Sequence, residues 1–197
     1  ADKLASVSQD LQAAASCEVR TIQADLSELS NPSIRQAVMT ELSQLEESDG
    51  GIGVLINSAG VSFPAAYLDE FSEEQVNAIL DVNVRASVIL ARMVLPRMMQ
   101  NRRGAIVFVA SAGGASPVGM PLYSVYSASK NFLDAFGITL HHELKEKGID
   151  VQSQRPLWVS TNMARMRSSF FVPTASRYAK AAVACIGNDS VQCPYWT

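Results

Sequence analysis

The stretch that decides the fold is residues 104–130, GAIVFVASAGGASPVGMPLYSVYSASK. Its opening, AIVFVAS (105–111), is a short apolar run rich in β-branched residues that ends on a serine. Such a run predicts a strand buried on both faces. A loop containing Gly, Ser and Pro follows. A helical pattern then runs from about Leu122 to Lys147, with Gly148 as its stop. IDVQSQ (149–154) reads as a last strand. Strand, long helix and strand in this order make a βαβ unit with parallel strands.

Upstream, the same alternation continues. Residues 2–14 read as helix, with Leu4, Val7 and Leu11 at helical spacing, and EVRTIQA (18–24) reads as a short strand. Asn31 and Pro32 form an N-cap and first-turn pair that starts a helix to about Glu47. Gly50-Gly51 breaks it before the buried strand IGVLIN (52–57). Ser72 with Gln75 forms a capping box, and the helix it opens runs to about Gln100. Downstream, a loop spans 156–173 and a helix 174–186. The sum is a single α/β domain over residues 1–197: a doubly wound, Rossmann-like parallel sheet covered on both faces. Ligands in such sheets lie at the carboxyl ends of the strands. There the sequence places Asp25, Asn57-Ser58-Ala59-Gly60, Ser111 and Pro156–Thr161.

Composition excludes several classes. With 48% hydrophobic residues in 197, the chain can fill one core, and 18% charged residues is too few for a disordered chain. A net charge of -3 gives no electrostatic reason for a nucleic-acid partner. Cys17, Cys185 and Cys193 are odd in number and widely spaced, which predicts reduced, mostly buried thiols. No Cys pair and no His spacing suggests a metal site; His141 and His142 are adjacent and point to different sides of a helix. No apolar run approaches the ~20 residues of a membrane-spanning helix.

Tyr126 and Lys130 carry the chemistry. At i, i+4 near a helix start they share one face. An ammonium one turn from a phenol is expected to lower the tyrosine pKa from its free value of about 10 and tune it for proton transfer. By spacing alone, such a pair usually means only an amphipathic helix face with a snorkelling lysine. Its company sharpens it. Ser111 ends a buried strand fifteen residues earlier, where its hydroxyl could bond a carbonyl oxygen. Asn83 sits inside the long helix, where Asn is a mediocre helix former; a solvated face and a water-binding kink are both open readings. INSAG (56–60) puts small and polar groups directly after a central strand.

These motifs, INSAG, Asn83 in VNVRAS, Ser111 after IVFVA and YSASK (126–130), resemble the short-chain dehydrogenases/reductases over nearly the whole chain. The segments GVLINSAGVS, VLPRM (94–98), GIDVQSQRPLWVSTNMA (148–164) and RSSFFVP (167–173) resemble the branch of very-long-chain 3-oxoacyl-CoA reductases and related 17β-hydroxysteroid dehydrogenases, the plant type above all. The resemblance implies roles. Tyr126 would protonate a ketone oxygen, Ser111 orient the carbonyl, and Lys130 lower the phenol pKa and hold the nicotinamide ribose. Asn83 would position a proton-relaying water. Asp25 would contact the adenine, Asn57, Ser58, Ala59 and Gly60 would line the adenosine and ribose path, and Pro156, Val159 and Thr161 would cap the nicotinamide.

It further implies NADPH as cofactor, a long-chain 3-oxoacyl-CoA as substrate, and fatty acid elongation at the endoplasmic reticulum membrane. A homodimer through helices 72–100 and 122–147, and elongase-complex partners, belong to the same expectation. The same chemistry on a steroid ketone, and a non-catalytic interaction subunit, are the alternatives.

Three departures stand out. Ser58 replaces a common second Asn, Pro156-Leu157 replaces Pro-Gly, and the loop 112–120 is two residues longer than in most of the family. A further one is an absence: no Gly-rich turn follows a strand here, since Gly50-Gly51-x-Gly53 precedes one. The expectation is therefore of a chain that lacks its N-terminal cofactor-phosphate unit and any membrane anchor. In strand order 3-2-1-4-5-6, strands 1 and 2 would separate residues 18–24 from 52–57. The 197 residues alone would then be inactive, with open strand edges.

Overall fold

A computed structural model describes residues 2–15, 17–49, 51–114 and 119–195. Its elements are α1 (Asp2–Ala14), α2 (Pro32–Asp49), β1 (Val54–Asn57), α3 (Glu73–Ile79), α4 (Ala86–Asn101), β2 (Gly104–Val109), α5 (Ser124–Leu144), β3 (Ile149–Gln154), α6 (Ala175–Ala184) and β4 (Val191–Gln192). The four strands form one parallel sheet in the order β1-β2-β3-β4. This is the α/β sheet that the alternating pattern predicts.

Side chains alternate across β2, as strand geometry requires. Ile106 and Phe108 point to one face and are fully buried with Val94 and Met98 of α4 and Leu133 of α5. Val107 and Val109 point to the other face and line a cavity partly roofed by α6. A second cluster joins Leu29, Val38 and Ala86, with Ile34, Leu42 and Ile89 packed around it, and fastens α2 to α4. The helix ends follow the predicted chemistry. Asn31 Oδ1 accepts from Ser33 N (3.0 Å) at the start of α2. Ser72 and Gln75 bond reciprocally, Gln75 N to Ser72 Oγ at 3.3 Å and Ser72 N to Gln75 Oε1 at 3.0 Å. Gly148 takes φ +78°, and a Cβ there would lie 2.3 Å from Arg102 O, so only glycine fits this stop.

Four expectations need correction. Residues 18–24 form no strand and pair with no described strand, so they add nothing to the sheet. β1 is thus a terminal strand, and its Val54 and Ile56 are each 49% exposed. Cys17, beside that unpaired segment, is exposed rather than buried; Cys185 and Cys193 are partly buried, and all three are free. The helix expected from Ser72 to Gln100 is interrupted by a π-helical turn, Leu80–Arg85, between α3 and α4. Finally, β3 is not the last strand: β4 follows it, pairing Val191 with Ser153 and Gln192 with Gln154.

Candidate active site

The carboxyl ends of β1, β2 and β3 open into a cavity of about 1190 Å³. A pocket for one small ligand is typically about 300–1,000 Å³, so two molecules can share this one. Ser58 and Gly60 reach it from β1, Ser111 from β2, and Pro156, Val159 and Thr161 from the segment after β3. Tyr126 and Lys130 reach it from the first two turns of α5.

The centre is built from several interlocked contacts. The Ser111 hydroxyl bonds the Tyr126 phenol. Gly113 N donates to Ser111 Oγ (3.2 Å), and Ser127 Oγ donates to Gly113 O (3.3 Å), which folds the post-strand loop onto α5. Leu122, just before α5, adopts φ +67°. A left-handed non-glycine residue stores strain, and such strain gathers where a neighbouring side chain must be aimed. Residues 115–118 of the expected substrate loop lie outside the described residues; Gly113, Gly119 and Met120 at its ends line the cavity.

Asn83 occupies the π-helical turn and is fully buried. Its Oδ1 accepts from Val61 N (2.8 Å), and its Nδ2 donates to Val61 O (3.1 Å) and Ser129 Oγ (3.0 Å). A π turn inserts one residue into the helical ladder and so redirects a side chain inward. That side chain here clamps the strand-end segment to α5. Of the two open readings of Asn83, the solvated face is therefore wrong. Lys130 Nζ is buried and donates to Val109 O at 2.8 Å. A Cβ on Gly60 would sit 3.3 Å from Lys130 Nζ and 3.4 Å from Asn83 Oδ1, so the glycine keeps this approach open.

The electrostatics differ from the expectation. Burial pushes the Tyr126 phenol above its ordinary value, and the bond from Ser111 offsets only part of this. Burial also pulls Lys130 down to about 8. Its ammonium is directed to the Val109 carbonyl, so it does not depress the phenol as the spacing suggested. A raised phenol pKa keeps the proton on Tyr126 at neutral pH.

Other expected residues fall into two groups. Ser58, Gly60, Pro156, Val159 and Thr161 line the cavity with the central trio. Asn57 is buried at the strand end, its Nδ2 without a protein partner. Asp25 lies outside the cavity lining. It caps a short 3₁₀ turn, accepting from Ser27 N (2.9 Å) and Ser27 Oγ (2.7 Å), bonds that hold its carboxyl below the usual range.

Sequence reading missed one supporting pair. Asp134, buried on α5 one turn beyond Lys130, accepts from Arg155 Nε (2.8 Å), Arg155 Nη2 (2.6 Å) and Ser153 Oγ (2.6 Å). Burial pushes its carboxyl up, but these bonds win and hold it below the ordinary value. The pair pins Arg155-Pro156, and Ala112 N closes the loop by donating to Pro156 O (3.0 Å).

This geometry has close relatives. A family model described as short chain dehydrogenase matches residues 1–170. The chain belongs to the short-chain dehydrogenase family. Among curated short-chain dehydrogenase relatives, the very-long-chain 3-oxoacyl-CoA reductase-like protein At1g24470 of Arabidopsis thaliana is 42% identical over 74% of this chain and 48% of its own. The very-long-chain 3-oxoacyl-CoA reductase of Rattus norvegicus is 37% identical over 94% of this chain and 58% of its own. A Pongo abelii relative named inactive hydroxysteroid dehydrogenase-like protein 1 is 34% identical over the whole chain. The chain thus spans about half the length of the curated relatives it matches. Among solved structures, a short-chain dehydrogenase from Sphingobium yanoikuyae in complex with NADPH superposes with TM-score 0.77 at 28% identity, over 92% of this chain and 69% of that one.

Proposed function

We propose that the protein reduces very-long-chain 3-oxoacyl-CoA to 3-hydroxyacyl-CoA with NADPH, in fatty acid elongation at the endoplasmic reticulum membrane. The observation that carries this reading is the trio lining the cavity: a protonated Tyr126 phenol, bonded by Ser111, one helical turn from the buried Lys130.

The residues present fit the nicotinamide-riboside end of the cofactor. Lys130 Nζ supplies a donor, Gly60 and Ser58 supply space, and Pro156, Val159 and Thr161 supply a wall. When bound there, the cofactor supplies a hydride. The chain's own groups do the rest. Ser111 donates to the substrate carbonyl oxygen and fixes its position. Tyr126 gives its proton to that oxygen as negative charge develops on it. Lys130, which burial pulls down to about 8, offers its ammonium to the nicotinamide ribose rather than to the phenol. Asn83 keeps Val61 and Ser129 in register, and with them Gly60 and Lys130.

The cavity wall favours an acyl chain. Beyond Pro156 it is made of Leu157, Trp158, Met163, Met166, Val183 and Ile186, an apolar wall that includes two flexible methionines. A homodimer through α3–α4 and α5 accords with the half-exposed Phe132 stacked on Phe136. The test is kcat/KM for a long-chain 3-oxoacyl-CoA and a steroid 17-ketone, measured side by side with NADPH on the full-length protein. The reading predicts a preference for the acyl-CoA of tenfold or more. A preference for the steroid, or no turnover of either, overturns it.

A further inference from the structure

The segment after β3 has a charge pattern unlike the rest of the chain. Residues 151–188 carry five of the 16 cationic side chains, Arg155, Arg165, Arg167, Arg177 and Lys180, and none of the 19 acidic ones. Arg155 is paired with Asp134. None of the other four is in an ion pair among the described residues. Among these cations stand two adjacent aromatics at the surface, Phe170 at 74% and Phe171 at 69% exposure. Their rings meet edge to face, 5.3 Å apart, and neither lines the cavity. Tyr195 Oη donates to Phe170 O, and Ser169 N to Val172 O (2.9 Å), so the pair is held on a defined turn.

Exposed adjacent phenylalanines beside unpaired arginines are costly in water and favourable at one kind of surface. Aromatic rings partition into the boundary between headgroups and acyl chains, while guanidinium groups meet anionic headgroups. The same segment is continuous with the site: Leu157, Trp158, Met163 and Met166 line the cavity and are themselves partly exposed.

We propose that the 157–171 segment docks on an anionic lipid bilayer through Phe170, Phe171, Arg165 and Arg167, and so turns the cavity mouth toward the membrane. The docking rests on exposure and charge alone. Its consequence, direct entry of a long acyl chain from the bilayer, rests on the acyl-CoA reading above.

The experiment places the photo-cross-linker p-benzoylphenylalanine at Phe170 in the full-length protein and irradiates it with vesicles of phosphatidylcholine and phosphatidylserine. The expected product is a phospholipid adduct at this position. A Arg165→Ser/Arg167→Ser background should reduce it about tenfold, and phosphatidylcholine vesicles should reduce it similarly. An adduct to a second copy of the chain, or none to lipid, overturns the proposal. Because cross-linking is read at one residue, attachment of the protein elsewhere does not mimic it. Steroid preference in the kinetic test would remove the acyl-entry consequence and leave the adduct intact, so the two failures are distinguishable.

Discussion

Asn83→Ala is the perturbation whose size the structure fixes best. Asn83 is fully buried in the π-helical turn and makes three hydrogen bonds, two to the Val61 backbone and one to Ser129 Oγ. Alanine removes all three and leaves both polar groups of Val61 without that partner. Ser129 keeps its own donation to Tyr126 O (2.7 Å), so its loss is partial. At ~1 kcal/mol per buried bond the cost is about 3 kcal/mol. For a domain of this size, that lowers Tm by about 6–12 °C. Urea unfolding followed by far-UV circular dichroism measures the free energy directly. The pair Asn83→Ala and Ser129→Ala should also couple by about 1 kcal/mol in a double-mutant cycle. A loss below about 1 kcal/mol, or strict additivity with Ser129→Ala, would refute the clamp.

Two further outcomes follow from buried charge. Lys130 holds a pKa near 8 in the fold against an ordinary 10.5, so between those values the unfolded chain binds more protons. Stability should therefore rise with pH across that window, by an amount on the order of 3 kcal/mol, and be penalised in full below it. Lys130→Met should flatten the rise, and a flat wild-type profile in pH-dependent urea melts would count against it. Asp134→Ala leaves Arg155 without its bidentate partner and should cost about 3 kcal/mol. It should also raise KM through the loosened Pro156 segment, whereas an unchanged melt would show that the pair does not hold it.

The parallel sheet was legible in sequence because buried strands such as AIVFVAS are continuous apolar runs with sharp ends. Capping chemistry at Asn31 and Ser72 was equally plain, being local. What failed was non-local. EVRTIQA has strand composition, yet a strand is defined by a hydrogen-bonded neighbour, and no described segment provides one. Val191–Gln192 is a strand for the opposite reason: two residues carry no periodicity, but β3 offers them an edge. The π turn was readable only as a misplaced Asn. The trio Ser111, Tyr126 and Lys130 was legible only in combination, since the Tyr126–Lys130 spacing alone is ambiguous; each sits at a strand end or helix start whose position the pattern sets. Their electrostatics were not, since burial outweighs proximity: Lys130 turns to Val109 O rather than acting on the phenol. The Asp134–Arg155 pair joins residues on different elements and has no local signature.

The central claim is that Tyr126 donates the proton. Its most direct test is NADPH oxidation by the full-length protein with a long-chain 3-oxoacyl-CoA, comparing wild type with Tyr126→Phe. The ring is kept, so folding and cofactor affinity should be unchanged. kcat should fall about 10²–10⁴-fold, the usual worth of a positioned general acid. A variant whose kcat stays within about tenfold of wild type would contradict the account.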